Sequence, residues 1–324
     1  MQRLHASLML SFRIYNMRYQ YYTADVFCDR IFGGNPLAVF PRAEGLNVKQ
    51  MQQIAKEFNL SETVFVFPPT TPTGTRRLRI FTPAAELPFA GHPTIGTAYI
   101  LGTIGEIALT DAITTIVFEE GVGPIPVKIR AEVGKPVYCE LKAAKLPEFG
   151  PEPPSIAELA AMLSLETADL LDGENSPQAV SCGVPFLYIP LRDRDALKRA
   201  QLNQERWKQL LSNYWASSVY IFCYDRELEG SHLRARMFAP AMGLAEDPAT
   251  GAAATALAGY LGIRDRKSDG TLKWVIEQGF EMGRPSILQV EADKENNQIA
   301  EIRVGGTSVS VSEGIMEIPQ LENE

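Results

Sequence analysis

A chain of 324 residues exceeds the usual single-domain length, and 45% hydrophobic against 22% charged residues is the balance of a globular protein with buried cores. A formal charge of -8 argues against a surface that tracks phosphates, so nucleic acid is not an expected partner. Four scattered cysteines without a CxxC pair, and only three histidines (His5, His92 and His232), supply no visible metal site or redox motif.

Residues 1–16, MQRLHASLMLSFRIYN, are too short and too polar for a membrane span or a signal peptide. They are expected to form an extension, with folded structure beginning near Tyr19. No other segment approaches the roughly 20 apolar residues of a spanning helix, so a cytoplasmic protein without a membrane partner is expected.

In chain order, Gly34-Asn35-Pro36-Leu37 reads as a turn into a strand. Val48, Met51, Ile54, Ala55 and Phe58 recur at helical spacing and predict an amphipathic helix. Asn59-Leu60-Ser61-Glu62 breaks it, and Thr63–Phe67 follows as a β-branched and aromatic strand. Arg76–Phe81 alternates as a strand, and Gly91-His92 opens a helix over 93–104. Ser155 and Glu158 have capping-box spacing before a Leu- and Ala-rich helix expected to reach about Leu171. A second, more polar helix is expected over 193–211. Leu233–Phe238 alternates again, and Gly251–Leu261 is an Ala-rich helix of packing residues. Strands outnumber helices, which places the fold in the α+β class.

The halves repeat. Gly34-Asn35-Pro36 resembles Gly183-Val184-Pro185, Phe81-Thr82-Pro83-Ala84 resembles Phe238-Ala239-Pro240-Ala241, and Glu120-Gly121 resembles Gln278-Gly279, in the same order and about 150 to 160 residues apart. Two similar lobes should therefore face each other, with chemistry in the cleft between them.

Each half has a strand ending in Phe-x-Pro-Ala and then a glycine opening an apolar helix. Helix N-termini bind anions through free N–H groups and the helix dipole, so a small carboxylate is the natural guest. Read alone, Gly91 and Gly251 need only serve close packing, His92 a structural role and Asp247 a helix cap. Together they add an acid/base reading, since imidazole exchanges protons near neutral pH and Glu62, flanked by apolar residues, could be desolvated into a general base. A solvent-facing start of a strand is the alternative for Glu62. No GxGxxG, GxxxxGK[ST] or GxSxG stands in the sequence, so no nucleotide cofactor and no nucleophile elbow are indicated.

The segments DVFCDRIFGGNPLAVF, NLSETVFV, FTPAAELPFAGHPTIGTA, FAPAMGLAEDPATGAAA and QGFEMGRPS together resemble the PhzF-like family of isomerases and epimerases, from about Tyr21 to Ile318. The resemblance implies a diaminopimelate-epimerase-type fold, in which two pseudo-symmetric lobes each wrap a barrel-like, mostly antiparallel sheet around a central helix. The expected lobes are 17–125, completed by a C-terminal strand over 312–324, and 126–311. The resemblance further implies Glu62 as acid/base, with His92 and Asp247 as catalytic partners. Gly91 and Gly251 would supply backbone donors, and Asn35, Thr250 and Ala252 would line the substrate site. No metal or organic cofactor is implied, and a homodimer is.

The phenazine-pathway member shifts a proton on trans-2,3-dihydro-3-hydroxyanthranilate and carries serine where this chain has Ala252, which puts that substrate in question. Racemases of the same fold use two opposed cysteines; here Ala90 and Thr250 occupy those places, which disfavours two-thiol chemistry. The sequence thus points to a cofactor-independent isomerase acting on a small amino or hydroxy carboxylic acid, cyclic ones included. An epimerase with a different second acid, and a non-catalytic carboxylate-binding or adaptor protein, are the alternatives.

Overall fold

The computed structural model describes residues 16–319. Most of the expected extension 1–16, with His5, lies outside them, and strand structure begins at Asn16 rather than near Tyr19. Among the described residues no helix is long and apolar enough to cross a membrane.

The architecture is α+β, a continuous, mostly antiparallel sheet system wrapped around two helices, Gly91–Thr103 and Gly251–Arg264. Both are apolar on nearly every face and buried almost throughout, as a helix without a polar side must be. Residues from both repeats fill one shared core around them, including Val26, Leu37, Val64, Ile95, Tyr188, Tyr220, Ala254 and Leu257.

The repeat expected from sequence is a repeat of topology. Strand Asn35–Phe40 runs parallel to Glu62–Phe67, with Leu37 opposite Glu62; strand Pro185–Pro190 runs parallel to Ser218–Cys223, with Phe186 opposite Ser218. Each second strand then pairs antiparallel with the next, Arg76–Phe81 or Leu233–Ala239. Those in turn run parallel to Ile113–Glu120 and Gly270–Gln278.

The repeats also exchange strands. Glu148–Phe149, following the first repeat, pairs with Gln178–Ser181 of the second. Ser308–Pro319, following the second repeat, pairs along its whole length with Asn16–Val26. Lys135–Lys142 and Gln298–Gly306 join the halves through an antiparallel ladder. The expected boundary between 125 and 126 falls inside strand Gly123–Glu132. That strand and Lys135–Lys142 both pack on the first central helix, so the first repeat continues to Lys142.

Three expectations for the helices need correction. Val48 is 53% exposed and outside the apolar face formed by Met51, Ile54 and Ala55. The helix expected to reach Leu171 ends at Met162, where Ser164 turns to a φ of 58° and the chain leaves the helical path. The polar helix expected over 193–211 is two, Arg194–Arg199 and Gln204–Leu211, because Asn203 caps a new start by accepting from the Arg206 N–H at 3.0 Å.

Candidate active site

Helix Val48–Phe58 determines where Glu62 lies. It opens with a capping box between Asn47 and Gln50 and closes at Asn59, whose φ of 50° ends the helix. Three residues later Glu62 begins its strand already buried, 6% exposed, which rules out the solvent-facing alternative.

The helix entrances meet. A Cβ on Gly91 would lie 3.3 Å from the Cα of Gly251 and from the backbone nitrogen of Ala252, tighter than usual, whereas one on Gly251 would meet Gly91 Cα at an ordinary 3.5 Å, so the close approach rests mainly on Gly91. Their free N–H groups and positive dipole ends converge at one place.

His92 and Glu62 face each other there, both buried, with Nε2 and Oε2 3.2 Å apart. The atoms are out of line for a hydrogen bond, and neither has another partner. Burial pushes the imidazole pKa down to about 3, so the ring is neutral at ordinary pH. The two Asn35 amide protons go to Asp247 and the Ala249 carbonyl, but a proton on His92 Nδ1, 3.3 Å from Asn35 Nδ2, would face another donor, which favours the tautomer with its proton on Nε2, facing Glu62. Burial, reinforced by the charge of Asp247, holds the Glu62 carboxyl well above the usual carboxylate range.

Asp247 lies at the end of strand Leu244–Asp247 and is pushed up to about 6 by burial, with Glu246 adding to the rise. Thr250 and Asn35 oppose this by donating to its two oxygens, at 2.5 and 2.8 Å. Asp247 is not a helix cap; Thr250 holds the N-cap position of the second central helix. Asn35 also donates to the Ala249 carbonyl at 3.0 Å, leaving Oδ1 buried without a partner.

The turn before Asn35 is fixed from the other repeat. Arg284 pairs with Asp25 at 2.6 Å and donates to the carbonyls of Gly33 and Gly34. The second Asp25 oxygen accepts the Phe32 N–H at 2.7 Å, holding Phe32 at a φ of 68°.

The structure thus brings Asn35, Glu62, Gly91, His92, Asp247, Thr250, Gly251 and Ala252 to the meeting point of the helices or one bond from it. Sequence reasoning missed Gln278, although it noted the repeated Gln278-Gly279. The Gln278 Nε2 donates to the Asp247 carbonyl at 2.8 Å and the Thr250 hydroxyl at 3.0 Å, while its Oε1 accepts from Tyr220 OH at 3.2 Å. No group of three or more His, Cys, Asp or Glu side chains among the described residues is placed to hold a metal ion.

A family model described as "Phenazine biosynthesis-like protein" matches residues 24–314. A Mesorhizobium japonicum protein named as an isomerase is 39% identical, over 91% of this chain and 97% of its own. The trans-2,3-dihydro-3-hydroxyanthranilate isomerase of Pseudomonas aeruginosa is 35% identical, over 91% of this chain and 98% of its own. Among solved structures, a PhzF-family phenazine biosynthesis protein of Bacillus anthracis superimposes with a TM-score of 0.84 at 27% identity, covering 93% of this chain and 99% of that one. A hydroxyproline epimerase of Agrobacterium vitis shares the fold, with a TM-score of 0.62 at 13% identity, covering 94% of this chain and 93% of that one. By the extent of these matches, and by the motifs that assemble its site, the chain belongs to the phenazine biosynthesis-like family.

Proposed function

We propose that the protein is an isomerase that moves a proton on a small amino or hydroxy carboxylic acid, with Glu62 as its acid/base. The observation that carries this reading is the buried Glu62–His92 pair, whose facing atoms have no other partner. A carboxyl held above its ordinary pKa in a dry site is suited to taking a proton from carbon and giving it back.

The helix entrances at Gly91 and Gly251 bind the substrate carboxylate through backbone N–H groups. Asp247 receives the amine or hydroxyl, and a cationic amine there counters the Asp247 charge that adds to the effect of burial on Glu62, favouring its carboxylate form. Glu62 then removes a proton from one carbon. The electron pair of the broken C–H bond moves into the conjugated system of the substrate, and His92 Nε2–H donates to the charge that develops. The Glu62 carboxylic acid returns the proton to a different carbon, so the double bond migrates and no electrons leave or enter.

Names among the relatives, including trans-2,3-dihydro-3-hydroxyanthranilate isomerase, support the reaction class. The test is proton NMR in D2O of small amino, hydroxy and cyclic carboxylic acids with the parent and with Glu62→Gln. Loss of a carbon-bound proton signal with the parent alone supports the reading. Binding without exchange across the panel replaces it with a carboxylate-binding role.

A further inference from the structure

The two repeats secure their helix entrances with different chemistry. In each, a strand ends in a polar residue followed by glycine, Glu120-Gly121 after Ile113–Glu120 and Gln278-Gly279 after Gly270–Gln278. In each, that glycine packs on the proline ahead of the central helix. A Cβ on Gly121 would lie 2.8 Å from Pro88 Cα, and one on Gly279 2.5 Å from the Pro248 carbonyl oxygen. The polar side chain then reaches the start of the helix. Gln278 does so with a neutral amide. Glu120 does so with an acid that lies 2.7 Å from Thr94 Oγ1, and the same hydroxyl lies 2.7 Å from the Ala90 carbonyl.

A threonine hydroxyl has one proton and cannot donate to both. Both contacts are satisfied when Glu120 carries a proton, so that the acid donates to Thr94 and Thr94 donates to Ala90. The other oxygen, Oε2, is buried without a partner, a place that a carbonyl oxygen tolerates better than half of a carboxylate. Ala90 is the N-cap of the helix and has no side-chain cap, so this chain is the side-chain tie at the entrance.

We propose that Glu120 is a positioning residue, a neutral acid that latches the Ala90–His92 entrance of the first central helix through Thr94, as Gln278 latches the second. Its effect on substrate rests on the reading of the cleft given above. Burial supports the protonated form by raising the Glu120 pKa to about 8, against the smaller lowering effect of Thr94. The charged groups lining the same 420 Å³ cavity are Arg77, Arg79, Glu86 and Glu119. Arg79 and Glu86 pair with each other at 2.6 Å, and Glu119 accepts from Thr70 and Thr71. On the helix itself, His92 is neutral across the range in question.

The test is amide hydrogen exchange over residues 88–96 of the full chain at pH 7 and pH 9, corrected for intrinsic rates, with 2-aminobenzoate affinity measured in parallel. In the parent, protection should fall about tenfold between these values as Glu120 ionises, while Glu120→Gln should hold at both. Thr94→Val, which keeps the shape and removes the hydroxyl, should lose protection at both. An unchanged parent, or the same pH dependence in Glu120→Gln, overturns the latch. Binding of 2-aminobenzoate that weakens toward pH 9 in the parent but not in Glu120→Gln supports the positioning role, and equal weakening in both overturns it. If exchange behaves as expected but no variant binds 2-aminobenzoate, the latch stands and the small-carboxylate reading of the cleft fails.

Discussion

Asn35 Nδ2 donates to Asp247 Oδ1 at 2.8 Å, across 212 residues of chain. This bond ties a turn of the first repeat to a strand end of the second, and the same amide, 3.3 Å from His92 Nδ1, gives its other proton to the Ala249 carbonyl. The site is therefore one polar network built from both halves, and its members should respond to substitution together.

Replacing Glu62 by Gln keeps the shape and removes the proposed base. Proton exchange into substrate should fall about 10²- to 10⁴-fold, the usual contribution of a general acid/base. Thermal stability should not fall, because the amide removes a buried group that resists ionisation. NMR exchange rates and a melting curve on the same sample check both halves of the expectation.

Asn35→Ala removes a donor from Asp247, so the Asp247 pKa should rise above about 6. The change leaves buried acceptors without a partner and should cost about 1–3 kcal/mol. Carboxyl titration followed by infrared spectroscopy reads the first effect and urea unfolding the second. A downward shift of the Asp247 titration would contradict the role assigned to the amide.

Asp247, Glu62 and Glu120 should each contribute less stability as pH rises, whereas His92, lowered from 6.5 to about 3, contributes more up to about pH 6.5, so a net decline is expected above that pH. Asp247 and Glu120 have folded pKa values of about 6 and about 8, above the ordinary 3.8 and 4.5. Their contribution is full below the unfolded values, where both states are protonated. It is lost as pH rises, because the unfolded chain releases its protons first, and the loss is complete once the folded pKa is passed. The Asp247 loss falls between about pH 4 and 6 and the Glu120 loss between about pH 4.5 and 8. Urea unfolding between about pH 6.5 and 8 should show the decline, and Glu120→Gln should flatten it.

Two glycines of the first central helix should separate packing from chemistry. A Cβ on Gly96 would lie 2.6 Å from both Leu37 Cδ2 and Val26 Cγ2, so Gly96→Ala should overpack the core and cost about 1–3 kcal/mol. At Gly91 the new methyl meets the facing helix entrance at 3.3 Å, a milder clash in the site itself. Gly91→Ala should lose more turnover than stability, and kinetics beside unfolding curves would show whether the two effects divide this way.

The elements of local origin were legible in the sequence. Asn47, Asn59 and the β-branched run after Glu62 mark a helix and a strand by their own preferences, and the structure agrees. The duplicated turns also showed, since glycine and proline write backbone geometry directly. Burial of Glu62 was not legible, because it depends on packing from both repeats. Gln278 and Glu120 stood in the repeat, but their partners, Asp247 and Thr94, lie 31 and 26 residues away in sequence. The helix expected over 193–211 failed for a local reason, because Asn203, inside that span, caps a new helix.

Because Asn16–Val26 finds its partner in Ser308–Pro319, the sheet of the first repeat cannot be completed until Ser308–Pro319 has been made. Its opening strand keeps one edge unpaired while the whole of the second repeat is synthesised. Asn35 likewise meets Asp247 only after 212 further residues have been made, so the site, like the closing strand pair, is a late product of folding.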